Sequence, residues 1–164
     1  MTVIAIVTST KNGGIGMNDS LPWINLYSVR EAYDELAPRS VILVGGASFN
    51  KHEHIKGEKT YVYAPGEDFH TSEKIATISG KPEDVIAKIK EENPESNILI
   101  AGGASVFNMF FDFIDEWRVM YVNEPTVFNK EINMTNIRYI WKNHRLISSG
   151  YDNNKEIEIW HYTK

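Results

Sequence analysis

Short β-branched runs recur along this chain, and two of them end in a glycine pair. Val3–Val7 is continuously apolar, as expected of a strand covered on both faces. Val41–Val44 runs into Gly45-Gly46, and Ile98–Ala101 runs into Gly102-Gly103. Thr60–Tyr63 and Val119–Val122 make five strands. A sixth and seventh are expected around Leu146–Ser149 and Glu156–Tyr162. The last alternates (EIEIWHY), a pattern that leaves one face solvated. GYDNN (150–154) lies between those two and has turn chemistry, so an antiparallel hairpin is expected.

Three helices fit between the strands. Ser28–Leu36 carries Val29, Ala32, Tyr33 and Leu36 at helical spacing, and Pro38 stops it. Pro82–Glu92 opens with Pro, Glu83 and Asp84 and closes with Lys88 and Lys90, which suits the helix dipole. Ala104–Phe113 is rich in Phe and Met and is expected to be largely buried. Strand–helix alternation implies an α/β fold with a mostly parallel sheet and right-handed crossovers. No repeat, low-complexity tract or linker interrupts residues 1–164, so one domain is the simplest organisation.

Composition narrows the function. The chain has 164 residues, a net charge of −5 and no basic block, which argues against nucleic acid as a partner. Cysteine is absent, which excludes disulfides, a Cys nucleophile and Cys-ligated zinc. The apolar start is too short for a membrane span or signal peptide, so a soluble, cytoplasmic protein is expected. His52-Glu53-His54 has metal-capable side chains but no third ligand in sight. It reads as a surface loop, and no metal is expected. His161 reads as outward-facing. Phe110, Phe111, Phe113, Trp117, Trp141 and Trp160 read as core or self-association surface.

Two segments bear on chemistry. Gly102-Gly103-Ala104-Ser105 puts small residues where a strand meets a helix N-terminus. Such a turn either allows tight packing or lets a phosphate approach backbone N–H groups. The segment Asn12–Trp23 (NGGIGMNDSLPW) has three glycines in five residues, then a rigid Leu-Pro-Trp. It reads either as a mobile lid with an aromatic clamp or as a long loop whose Trp anchors the core.

Together these segments resemble the dihydrofolate reductase family. NGGIGMNDSLPW is similar to the family's active-site loop, and VILVGGASF (41–49) to its first glycine segment. GEKTYVY (57–63) is similar to its G-R-x-N strand, and ILIAGGASVF (98–107) to its second glycine pair. The four occur in the family's order and span nearly the whole chain. The resemblance implies an eight-stranded, mostly parallel sheet with an antiparallel C-terminal hairpin and flanking helices. It implies a nicotinamide cofactor, NADPH or NADH, and a pterin-like small-molecule substrate. By resemblance, Val7, Thr8, Leu26, Tyr33 and Phe49 would face the substrate, with Trp23 beside the reacting ring. Ile15, Gly16, Gly45, Gly46, Ser48, Gly102, Gly103, Ala104, Ser105, Val106 and Phe107 would hold the cofactor.

The family's charged contacts do not carry over. Its catalytic acid falls on Val29, or on Ser28 after a shift of one residue. Glu31 is no substitute, since two residues along a helix turn it ~200° from Val29. The tail-binding Arg falls at Gly57-Glu58. The basic residue that meets the cofactor's 2′-phosphate falls at Gly46-Ala47, and the later serine/arginine pair at Ala64-Pro65. The Thr that partners the acid falls at Met120 or Val122. These losses disfavour NADPH relative to NADH. Two functions are therefore open: a reductase with a degenerate site, or a non-catalytic protein of the same fold that binds or assembles. The sequence leaves the oligomeric state open.

Overall fold

A computed structural model describes residues 1–9, 14–16, 27–46, 49, 57–64, 72–122, 130–131, 144–151 and 157–164. Side chains at 8, 9, 14–16, 27–30, 122, 130–131, 151 and 157 are outside that description. The strands are β1 (Val3–Ser9), β2 (Gly14–Gly16), β3 (Ser40–Gly45), β4 (Thr60–Tyr63), β5 (Ile75–Ile78), β6 (Asn97–Ile100), β7 (Glu116–Val122), β8 (Lys130–Glu131), β9 (Arg145–Tyr151) and β10 (Ile157–Thr163). The helices are α1 (Tyr27–Leu36), α2 (Pro82–Glu92) and α3 (Ala104–Met109), with 3-10 turns at Ala37–Arg39 and Phe111–Phe113.

Eight strands form one sheet in the order β5-β4-β3-β6-β1-β7-β10-β9. Pairing is parallel from β5 through β7 and antiparallel for β7–β10 and β10–β9. β2 and β8 form a separate two-stranded sheet. The central strands are buried on both faces, which explains their unbroken apolar runs: Val41, Ile42, Leu43, Ile98, Leu99 and Ile100 are all fully covered.

The two faces carry different cores. α1 follows β1 and leads to β3. Its Tyr33, with Ala37 of the following 3-10 turn, packs with Ile4, Ile6, Ile42, Val44, Leu99, Ala101 and Met120. α2 and α3 precede and follow β6, and their connections run the other way along the sheet. Val85, Ile86, Ile89, Val106 and Phe107 pack there with Val3, Val7, Leu43, Tyr61, Trp117 and Tyr162. Connections of opposite direction on opposite faces are what right-handed crossovers require.

Four expectations are corrected. The third helix stops at Met109, which is exposed. Phe111–Phe113 forms a separate 3-10 turn, and Phe111 and Phe113 are only partly buried. β5 was not expected, because IATI is short and broken by exposed Thr77. Gly14–Gly16, read as part of a lid loop, is a strand paired with Lys130–Glu131. His161 is largely covered (14% of its side chain exposed), and its Nε2 lies 3.1 Å from Glu116 Oε2 on β7. The antiparallel hairpin of β9 and β10 is as expected, with its turn at 152–156 outside the described residues.

Candidate active site

Parallel strands place their carboxyl ends at one edge, and a ligand crevice opens where neighbouring connections diverge. Here that point lies between β3 and β6. The chain leaves β3 toward β4 on one side and leaves β6 over β1 toward β7 on the other. Both glycine pairs are at this point. The Ala101 N–H donates to the Leu43 carbonyl at 3.0 Å, and the Gly45 N–H donates to the Gly102 carbonyl at 2.8 Å. The two strand ends are thus tied across the crevice.

Gly102 and Gly45 are favoured for separate reasons. Gly102 has φ +114°, a conformation that residues with side chains rarely adopt, and the Gly102–Gly103 peptide is cis. At Gly45 a Cβ would come 3.1 Å from Val106 Cγ2, so a side chain there would make α3 or Val106 give by a few tenths of an ångström. α3 starts immediately after Gly103. The Phe107 N–H takes the Gly103 carbonyl, which leaves the N–H groups of Ala104, Ser105 and Val106 with no acceptor inside the helix. Val106 and Phe107 bury their side chains in the core, while Ser105 is exposed. What this turn offers a ligand is therefore backbone N–H and the Ser105 side chain.

The fit to an anionic group is one of shape and dipole rather than charge. No Lys or Arg occurs at 40–46 or 101–107. Ala64, at the end of β4, is buried and apolar. A pyrophosphate suits the turn between Gly102 and Ser105. A 2′-phosphate finds no cation among these described residues.

The proposed substrate residues divide between the faces. Tyr33 is buried on the α1 face, and Phe49 packs against the same cluster with Met120. Val7 belongs to the α2/α3 core with Val106 and Phe107, so the sheet separates its side chain from Tyr33. Gly46 follows Gly45, the last residue of β3, and is half-buried. Thr8, Ile15, Gly16 and Val29 have described backbones in β1, β2 and α1, but their side chains lie outside the description. Trp23, Leu26, Ala47, Ser48, Pro65, Trp141 and His52–His54 lie outside the described residues altogether.

Three of the positions where the resemblance leads one to expect a polar or charged contact can be located in the structure. The first turn of α1 holds no acidic residue, and Glu31 is exposed. Met120, where a Thr would partner the acid, is fully buried. Glu58 is exposed and accepts a hydrogen bond from Ser96 Oγ at the amino ends of β4 and β6, opposite the glycine end. Among the described residues, no three His, Asp or Glu side chains gather as a metal site, and no helix is long and apolar enough to cross a membrane.

The sequence reading missed a polar lock on the far side of the sheet. The Tyr61 hydroxyl donates to Glu92 Oε2 at 2.6 Å and accepts from Asn93 Nδ2 at 2.8 Å. Lys59 lies 4.9 Å from the Tyr61 ring centre. Burial, with Glu92 beside it, pushes the Tyr61 hydroxyl up to about 12. This lock fastens the end of α2 to β4. Only a distant pairing reveals it.

Comparison with known proteins agrees with this architecture. A solved dihydrofolate reductase from Enterococcus faecalis, complexed with NADP(H) and RAB-propyl, superposes with a TM-score of 0.77. The match covers 99% of this chain and 95% of that one at 19% identity, so the likeness is one of fold. No curated protein matches the sequence significantly. The sequence profile described as dihydrofolate reductase matches residues 2–164, and on that match the chain belongs to the dihydrofolate reductase family.

Proposed function

We propose that residues 1–164 act as one domain, a nicotinamide-dependent reductase of the dihydrofolate reductase type with a degenerate active site. The observation that carries this reading is the tied pair of glycine turns at the divergence between β3 and β6. The Gly102–Ser105 turn would hold the cofactor's pyrophosphate through backbone N–H groups. Val106 and Phe107 would fix the turn from beneath by their burial. The α1 face, with Tyr33, Phe49 and Met120, would receive a flat heterocycle, either dihydrofolate or a related small molecule.

When bound, the nicotinamide supplies a hydride. The chain's own part is to position the two rings and exclude water, which is where much of an enzyme's advantage arises. Proton delivery is the weak point. Val29 stands at the family's acid position, and the apolar α1 core offers no carboxylate among the described residues. A solvent proton would have to serve, at a cost on the order of 10²–10⁴ in rate relative to a positioned acid. With no cation beside either glycine pair among the described residues, NADH is expected to bind at least as well as NADPH. A cysteine-free chain with no basic block suits the cytoplasm and a small-molecule partner rather than nucleic acid.

The same apolar α1 face favours a second reading, a non-catalytic protein that binds a ligand or assembles. Val29→Glu separates the two. In a reductase the variant raises NADH- or NADPH-dependent reduction of dihydrofolate by about 10² or more. In a non-catalytic protein it yields no turnover and only destabilises the fold, because an unpaired carboxylate is added to an apolar site.

A further inference from the structure

We propose that the Tyr33 hydroxyl is the proton donor of the reductase site, standing in for the carboxylic acid that position 29 lacks. The proposal rests on the reductase reading above and adds the group that delivers its proton. α1 follows β1 and leads to the start of β3, so it runs against the parallel strands. Its first turn therefore lies toward their carboxyl edge, where the glycine turns are. Tyr33 is buried in one cluster with Val44 and Ala101. Val44 directly precedes Gly45-Gly46, and Ala101 directly precedes Gly102-Gly103. Position 29 is one turn before Tyr33 on the same helix. Residues four apart on a helix are neighbours, with ~5–6 Å between Cβ atoms. Long side chains on a helix lean toward its amino end. A ring at 33 thus lies back over the turn that carries position 29, and its hydroxyl is carried toward the strand ends.

The other polar side chains described on this face are committed elsewhere. Ser40 shares the face of Ile42 at the amino end of β3, and its hydroxyl donates to the Leu36 carbonyl at 2.9 Å. Arg118 and Glu116 share the face of Met120 but lie two and four residues nearer the amino end of β7. There Glu116 Oε2 is met by His161 Nε2 at 3.1 Å and by Arg118 at 3.9 Å. Within the buried α1-face cluster, Tyr33 alone carries an O–H group. A phenol both donates and accepts, so it can hand a proton on and take another up. The substrate class is then a heterocycle with a reducible C=N bond. Its carbon takes the hydride that the nicotinamide supplies, and its nitrogen takes the Tyr33 proton. The C=N bond is reduced by two electrons to CH–NH, at the expense of a nicotinamide oxidised by the same two. A solvent proton then restores the phenol, so solvent remains the source and Tyr33 fixes the point of delivery.

The test is nicotinamide-dependent reduction of dihydrofolate by the full chain, run with NADH and with NADPH. It compares the unaltered chain, Tyr33→Phe, Val29→Glu and the double variant. Tyr33→Phe keeps the ring and removes only the O–H. It is expected to lower kcat by about tenfold or more. KM for dihydrofolate and cofactor binding should stay within about twofold, with an unchanged circular dichroism spectrum. In the Val29→Glu background a carboxyl takes over the work, so removing the hydroxyl should change kcat by less than about threefold. A merely structural hydroxyl would lower kcat alike in both backgrounds. An unchanged kcat in Tyr33→Phe, a loss confined to KM, equal losses in the two backgrounds, or turnover only with Val29→Glu would overturn the proposal and leave the reductase reading standing. No turnover by any of the four would count against the reductase reading itself, and the proposal would fall with it.

Discussion

The two faces of the sheet have been built for different ends. On the α2/α3 face, aromatic rings interlock: Tyr63 meets Phe110 edge-on at 5.5 Å, and Trp117 lies 6.0 Å from Phe107 and 5.6 Å from Phe111. The Tyr61–Glu92–Asn93 lock adds polar ties there. On the α1 face the described cluster is smaller, its strand residues are aliphatic, and Tyr33 is its only fully buried ring. One face thus carries the denser aromatic and polar packing among the described residues. The other is the face proposed to receive the substrate ring.

Core truncation is the strongest way to break this contrast. Trp117→Ala is expected to cost ~3–5 kcal/mol, since the ring is fully buried and wedged between two others. Met120→Ala on the α1 face is expected to cost less, ~2–3 kcal/mol, because it removes a smaller side chain than Trp. Urea unfolding of both variants measures the difference. Equal losses would remove the distinction between the faces.

Titration sharpens the contrast. The Tyr61 hydroxyl is held up to about 12 in the folded chain, against an ordinary 10. A raised folded value means that its stabilisation is complete below pH 10 and fades as pH rises toward 12. The slope from this one group is at most about 1.4 kcal/mol per pH unit. Tyr61→Phe should lose roughly 1 kcal/mol at neutral pH and flatten the fall in stability between pH 10 and 12. Thermal melts across that range would show it. A fall of the same size in Tyr61→Phe would assign the alkaline loss elsewhere.

The smallest effect is expected at Glu31, exposed on α1 two residues from the acid position. Glu31→Gln should leave stability within about 0.5 kcal/mol and leave any reductase turnover unchanged. A fall in turnover would show that this carboxylate reaches the substrate and that the α1 face is not apolar in function.

What was legible in the sequence was local. Val3–Val7, Val41–Val44 and Thr60–Tyr63 declare themselves because buried parallel strands need unbroken apolar runs. Pro82–Glu92 has matching signals at both ends. The glycine pairs are readable because φ +114° at Gly102 and the close approach at Gly45 leave little choice of residue. Features set by distant partners were hidden. β2 exists only through Lys130–Glu131, and His161 is covered because Glu116 and Arg118 share its face. That Val7 and Tyr33 point into opposite cores follows from which way each crossover runs, and no single segment encodes that.

The glycine turns are expected to bind a dinucleotide through backbone N–H groups and Ser105, without a charged contact. Titration of the chain with NADH and NADPH, followed by tryptophan fluorescence, tests it most directly with Gly102→Ala as the comparison. The account predicts micromolar binding, little preference for the 2′-phosphate, and at least a tenfold loss in Gly102→Ala, whose side chain is incompatible with φ +114°. No binding at millimolar cofactor, or equal binding by Gly102→Ala, would contradict it.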